Sequence, residues 1–390
     1  VLRVKYLNAF LTLFVLALVG CAPAAMDKAP AGADMSGAKD LPPIKIGVIA
    51  PLVGDEAPYG ADTTAAVKLA VEEINNAGGV NGRMLEAIYE NGGCNGKDAT
   101  TAATKLIDVD KVQVIVGGYC SGETLGAAPI AEAAMVALIS PASSNPSITT
   151  AGDYVFRVTP SDAGQGTAVA AEAIKRGHHK MAVIVANTDY SLGLANAFKE
   201  NFEKMGGVIQ SWELYDKDSK DFRTQVVKTR TSRPDAVYIV GYPTDTALII
   251  KQIRELKMTE PLYSGEIVGS KDVVEAAGSA NIEGTVYATP KFEANRPKAT
   301  DFITKAQQYR GAELTLPVFA ANAYDAVHLI ADAARANAGT ELTGTLVKDF
   351  LYSVKEYDGA GGKLTIDENG DALKEFQVMY IHEGDFYPAP

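Results

Sequence analysis

Short runs of β-branched and apolar residues alternate along the chain with segments whose apolar residues recur every three or four positions. Residues 44–50, Ile-Lys-Ile-Gly-Val-Ile-Ala, are followed by Pro51 and Gly54 and read as a buried strand. Within 62–77, Val67, Ala70, Val71 and Ile74 keep helical spacing, and Gly78-Gly79 supplies a C-terminal stop. The rhythm returns with strands expected at 112–116, 136–140, 181–186, 235–240 and 261–264. Helices are expected at 122–134, 193–205, 222–231 and 245–256. Repeated strand–helix units predict an α/β fold whose parallel sheets are covered on both faces, with right-handed crossovers. Sheets of this kind bind ligands outside the carboxyl ends of their strands. The loops that matter are therefore 51–60, 117–122, 141–146, 187–193, 241–244 and 265–269.

The pattern breaks at the N-terminus. Arg3 and Lys5 precede an apolar stretch over 6–19 that is shorter than the ~20 residues of a comfortable membrane span. Leu18-Val19-Gly20-Cys21 resembles a bacterial lipobox, so 1–20 is expected to be a lipoprotein signal peptide and Cys21 the lipidated residue. From Cys21 to Pro43 the chain is rich in Ala, Pro, Gly, Ser, Asp and Lys without periodicity, the composition of a flexible tether. Such a tether reaches on the order of 25 Å.

Composition narrows the function. A length of 390 residues suggests two domains, and 47% hydrophobic with 22% charged residues suits a globular protein. The formal net charge is −12 and Lys and Arg form no compact run, which argues against nucleic acid as a partner. No phosphate-cradling loop, HExxH or GxGxxG follows a strand. His178 and His179 read as a solvated helix end, and no metal or cofactor is expected.

Gly118-Tyr119-Cys120-Ser121-Gly122 sits between an expected strand and an expected helix, the setting of a cysteine nucleophile elbow. A hydrolase using Cys120 would need a base, and His328 is the candidate. An exported chain, however, folds where thiols oxidise, so a Cys94–Cys120 disulfide is the expectation and the cysteine hydrolase the alternative.

Several ordered segments carry a resemblance. They include 44–52, Glu73-Ile74-Asn75-Asn76-Ala77-Gly78-Gly79, Tyr119-Cys120-Ser121-Gly122, Pro141-Ala142-Ser143-Ser144-Asn145-Pro146, Phe156-Arg157-Val158, Ala323-Tyr324-Asp325-Ala326 and Asp367-Glu368-Asn369-Gly370-Asp371. From 44 to about 387 the chain resembles the periplasmic leucine/isoleucine/valine-binding protein family of ABC importers, the type I periplasmic binding fold. The resemblance implies two Rossmann-like lobes joined by three hinge crossings, 44–162 with 291–376 and 163–290 with 377–390.

It also implies a function without catalysis or cofactor. A monomer captures a small amino acid, most readily a branched-chain one, and delivers it to a membrane permease at the extracytoplasmic face. Ser121 and Ser144 would take the ligand carboxylate, and Ala142 and Glu266 its ammonium. Tyr59, Tyr190, Tyr242 and Phe319 would line the side-chain space. A sensory module reporting an amino acid or amide to a receptor would share all of these residues.

Overall fold

The computed structural model describes residues 42–389 apart from 218. The leader, Cys21 and the tether up to 41 lie outside the described residues. The first part of the chain runs β1 (Ile44–Ala50), α1 (Ala57–Asn76), β2 (Leu85–Asn91), α2 (Gly96–Thr104), β3 (Val114–Val116), α3 (Ser121–Ala133), β4 (Ala137–Ser140) and β5 (Val155–Arg157). The second runs α4 (Asp162–Lys175), β6 (Lys180–Ala186), α5 (Asp189–Lys204), β7 (Val208–Tyr215), α6 (Arg223–Ser232), β8 (Ala236–Val240), α7 (Pro243–Glu255), β9 (Leu262–Ser264), α8 (Lys271–Ala277), α9 (Ser279–Ile282) and β10 (Val286–Pro290). The last runs α10 (Pro297–Arg310), α11 (Pro317–Ala336), α12 (Gly344–Tyr352), the hairpin β11 (Tyr357–Gly359) and β12 (Gly362–Leu364), then β13 (Phe376–His382) and β14 (Asp385–Pro388).

Two sheets result. One has the order β2-β1-β3-β4-β5 and is parallel throughout, with Ile44 opposite Leu85 and Gly47 opposite Ile115. The other has the order β14-β13-β10-β9-β8-β6-β7. It is parallel from β7 to β10, and β13 and β14 then add an antiparallel edge that the strand–helix rhythm does not announce. In both sheets the strand order reverses once, between β1 and β3 and between β6 and β8, and ligands settle at such reversals.

Side-chain alternation explains why both faces are covered. Ile46 and Val48 of β1 join a core with Val67 and Ile74 of α1, Phe302 of α10 and Leu329 of α11. Ile49, of opposite parity, joins Ala99 and Ala103 of α2 and Ala127, Ala128 and Ala131 of α3. Small residues let these two helices approach closely, since a Cβ on Gly126 would lie 2.3 Å from the Gly96 carbonyl oxygen.

The chain passes from the first sheet to the second between β5 and β6, returns after β10, and passes again before β13. Arg157, fully buried at the end of β5, braces this region. Its Nε and Nη2 donate to the Asp371 carboxylate at 2.6 and 2.7 Å, and its Nη1 donates to the carbonyls of Ser144 and Asn145 at 3.0 and 2.9 Å. Two segments that the sequence presents 214 positions apart thus form one fork-to-fork ion pair. Removing one partner of a buried pair leaves the other charge uncompensated, so Asp371→Asn is expected to lower unfolding free energy by about 3–5 kcal/mol. Urea denaturation, with an unchanged m-value, is the measurement that checks it.

Candidate ligand-binding site

The loops at the two strand-order reversals meet. After β1 comes Tyr59 near the start of α1, after β3 come Tyr119 to Ser121, after β6 comes Tyr190, and after β8 comes Tyr242. Glu266 follows β9, Ala142 follows β4, and Phe319 enters from the first turn of α11. Ser121, Ala142, Tyr190, Tyr242, Glu266 and Phe319 line one cavity of about 20 Å³, together with Tyr119, Cys120 and Ile267. Tyr59 lies one ring behind this wall, stacked on Tyr119 with centroids 5.0 Å apart and planes inclined by 12°. Phe319 meets Tyr119 edge-on at 6.0 Å, and Tyr190 meets Tyr242 at 5.6 Å.

Ser144 stands apart from the others. Its hydroxyl donates to Asp162 Oδ2 at 2.9 Å, and it does not line the cavity. The expected hydroxyl contact from Ser144 to a ligand carboxylate is therefore engaged elsewhere, by a carboxylate at the start of α4 that the sequence reading did not single out.

Glu266 is buried, and its Oε2 accepts from Gln165 Nε2 at 2.6 Å and from Tyr190 Oη at 3.0 Å. Both donors are neutral, and among the described residues Glu266 forms no ion pair. Burial pushes its carboxyl above the ordinary carboxylate range, opposed by the bonds from Gln165 and Tyr190. Asp162 is raised well above its ordinary value, first by burial and then by the charge of Glu266.

On the opposite wall the first turn of α3 presents N–H groups. Those of Ser121 and Gly122 have no partner among the described residues, as befits the start of a helix, and the helix end is partially positive. The loop before it is held by Glu123, which accepts from the backbone N–H groups of Tyr119 at 2.8 Å, Cys120 at 3.1 Å and Cys94 at 2.9 Å. Burial pushes the Glu123 carboxyl up to about 7, with the three N–H donors working against that rise. Glu123 was missed by the sequence reading, although its place three residues after Cys120 is capping-box spacing.

Cys94 and Cys120 are joined by a disulfide, with Cα atoms 5.1 Å apart. This overturns the nucleophile alternative: Cys120 Sγ is bonded to Cys94 and holds no thiolate. His328, the expected base, lies along α11 with its ring 4.4 Å from Tyr324 and is not among the residues lining the cavity.

At the rim the two halves touch through charged groups. Lys217 Nζ donates to Glu56 at 3.0 Å and lies 5.5 Å from the Tyr242 ring centroid, and Lys220 pairs with Asp55 at 3.4 Å. A wider groove of about 890 Å³ opens beside Lys291, Arg296 and Lys374. Of the strand-end loops only the one after β10 lines it, none of those that carry the expected ligand residues does, and these cations already have partners in Glu375, Asp358 and Asn322. Six of the residues expected around a ligand line the small cavity, and none lines this groove.

A family model described as "Periplasmic binding protein" matches residues 43–385. The chain belongs to the periplasmic binding protein family. A leucine-, isoleucine-, valine-, threonine- and alanine-binding protein of Pseudomonas aeruginosa is 31% identical over 339 residues, covering 85% of this chain and 88% of the relative. A Leu/Ile/Val-binding protein homolog of Brucella melitensis is 29% identical, covering 87% and 92%. Among solved structures, a leucine-binding protein of Thermotoga maritima superposes with a TM-score of 0.80 at 30% identity, covering 89% of this chain and 98% of its own. A branched-chain amino acid transporter substrate-binding protein of Streptococcus pneumoniae, solved with isoleucine, has a TM-score of 0.79 at 28% identity, covering 89% and 99%.

Two outcomes are expected of this binding protein's anchored loop. Reduction, or the Cys94→Ser/Cys120→Ser pair of changes, removes a cross-link that contributes about 3–4 kcal/mol in the chain-entropy model. The melting temperature should fall under reductant in the wild type and not in the double variant. Glu123 has a folded pKa of about 7 against an ordinary 4.5, so folding takes up a proton between those values. Its stabilising contribution is complete below the unfolded pKa and is lost as pH rises through the folded one. Stability measured by denaturant should decline across that window less steeply in Glu123→Gln than in the wild type.

Proposed function

We propose that this chain is the solute-binding component of an ABC importer, anchored through Cys21 at the extracytoplasmic face, which captures a small amino acid and delivers it to a membrane permease. One observation carries the reading: Glu266, whose carboxylate has no cation among the described residues, and Ser121, whose N–H at the start of α3 has no partner among them, line the same cavity. A negative group opposite a partially positive helix end complements a zwitterion. The Ser121 amide and hydroxyl take the carboxylate, with the Ser144 amide beside them. Glu266 and the Ala142 carbonyl take the ammonium, while Tyr59, Tyr190, Tyr242 and Phe319 surround the side chain. Branched-chain amino acids are the first candidates, in line with the names of the relatives.

The working parts are a lobe of residues 44–162 and 291–376 and a lobe of 163–290 and 377–390, hinged at the three passages between the sheets. A ligand touching Ser121 on one lobe and Glu266 on the other binds the closed arrangement better than the open one, and by that difference it drives closure. No bond is made or broken, and the monomer acts alone until it meets the permease.

Glu266→Gln keeps the hydrogen-bonding shape and removes the charge, so it should weaken amino-acid binding at least tenfold, about 1.4 kcal/mol, in isothermal calorimetry. The ammonium requires the ionised carboxylate. Affinity should therefore fall as pH drops through the raised pKa of Glu266, and the fall should be absent in Glu266→Gln. Unchanged affinity in the variant sinks the ammonium assignment.

A further inference from the structure

Asn322 stands one turn after Phe319 on α11 and is fully buried. Its amide makes two contacts of opposite sense: Nδ2 donates to the Pro141 carbonyl at 3.0 Å, and Oδ1 accepts from Lys374 Nζ at 2.8 Å. Turned over, the amide would set its NH2 against the Lys374 amine and its oxygen against the Pro141 carbonyl, two contacts between like groups. Lys374 therefore dictates which end of the amide faces Pro141. The other acceptor of Lys374 is the Gly361 carbonyl at 3.3 Å, and it forms no ion pair among the described residues. Burial pushes its ammonium down to about 8, the charge of Asp325 acting against that fall and the charge of Arg296 adding to it.

The Pro141 contact bears on the ligand site through backbone geometry. Pro141 precedes Ala142, whose carbonyl is the expected acceptor of the ligand ammonium. The two torsions of a residue are set by the peptide planes on either side of it. The plane after Ala142 is held by the Ser143 N–H, which donates to Ser140 Oγ at 2.9 Å, so the Ala142 carbonyl of the same trans unit points the opposite way. The plane before Ala142 is held at its carbonyl by Asn322, and its N–H lies 3.4 Å from Ser140 Oγ. Lys374 itself lies in the third passage between the sheets, two residues before β13. The next carbonyl, that of Glu375, accepts from the Lys291 N–H of the second passage at 2.8 Å. A line of contacts thus runs from two passages between the sheets to the Ala142 carbonyl.

We infer that Asn322 and Lys374 are positioning residues: Lys374 orients the Asn322 amide, the amide aims the Ala142 carbonyl at the ligand ammonium, and the pair ties that carbonyl to the passages between the sheets. The inference rests on the amino-acid reading above and adds to it two residues that do not line the cavity.

The test is calorimetric titration of the full-length wild type with the standard amino acids. The two tightest binders are then titrated into Asn322→Ala, Lys374→Met, the double variant and Lys363→Met, with a melting curve for each ligand-free protein. Asn322→Ala should weaken both ligands by about fivefold or more and Lys374→Met by about threefold or more. Each variant should weaken the two ligands by the same factor, because the ammonium is common to both. Lys374 acts only through the amide, so adding Lys374→Met to Asn322→Ala should bring no further loss. Lys363→Met, which removes an exposed cation from the same groove, should leave affinity unchanged. Unchanged affinity in both single variants overturns the inference and leaves the amino-acid reading standing. So do losses that multiply in the double variant, an equal loss in Lys363→Met, or unequal losses for the two ligands, which would mark a displaced Phe319 instead. If the melting curve shows that Asn322→Ala does not fold, Lys374→Met against Lys363→Met decides by the same criteria. No heat from any amino acid with the wild type overturns the amino-acid reading itself, and the inference with it.

Discussion

A carboxylate buried without a countercharge among the described residues is the constraint around which the cleft is organised. Glu266 is removed from water with two neutral donors, Gln165 and Tyr190, and beside it Asp162 is buried with only the Ser144 hydroxyl on one of its oxygens. Two such groups repel each other and raise each other's affinity for protons or for a cation. In the proposed binding mode an ammonium between Glu266 and the Ala142 carbonyl would relieve that tension. The same ammonium alone would leave the other wall unsatisfied, because the N–H groups at the start of α3 call for an anion. The proposed zwitterionic ligand, with both charges a short distance apart, would answer both walls.

The groups that position these walls solve the burial problem in the opposite way, by satisfying charge internally. Arg157 is buried but forked onto Asp371 and two carbonyls, which holds the Ser144–Asn145 loop against β5. Glu123 is buried but takes three backbone N–H groups, which fixes the loop from Tyr119 to Ser121 and ties Cys94 to it beside the disulfide. Arg157 has a carboxylate partner and Glu123 three backbone N–H donors, whereas Glu266 has two neutral side-chain donors.

Much of this was legible in the chain before folding. The strand–helix rhythm located β1, β4, β6 and β8 to within a residue or two, because buried parallel strands are continuous β-branched runs. The helix α1 begins at Ala57, five residues earlier than its apolar periodicity suggests, since Pro58 and Tyr59 join its first turn. The edge strands β2 and β7 escaped notice because they are only partly buried and carry charged residues such as Glu86, Glu90 and Glu213. Of the eight residues expected around the ligand, six line the cavity, Tyr59 stands directly behind it and Ser144 turns to Asp162.

Local signals therefore determined what the chain could settle alone: strand and helix succession, the ends of helices, the pair of cysteines and the loops at the strand ends where a ligand belongs. These depend on interactions within a dozen residues, whose free energies are written in adjacent side chains. Tertiary structure decided the rest: the order of strands, the antiparallel edge, the choice of Glu123, Arg157 and Asp371 as braces, and the meeting of Tyr59, Tyr119 and Phe319. These contacts join positions far apart in sequence, such as Arg157 and Asp371. Whether a buried charge or hydroxyl has a partner is a property of the packed interior, and no single stretch of sequence contains both halves of it.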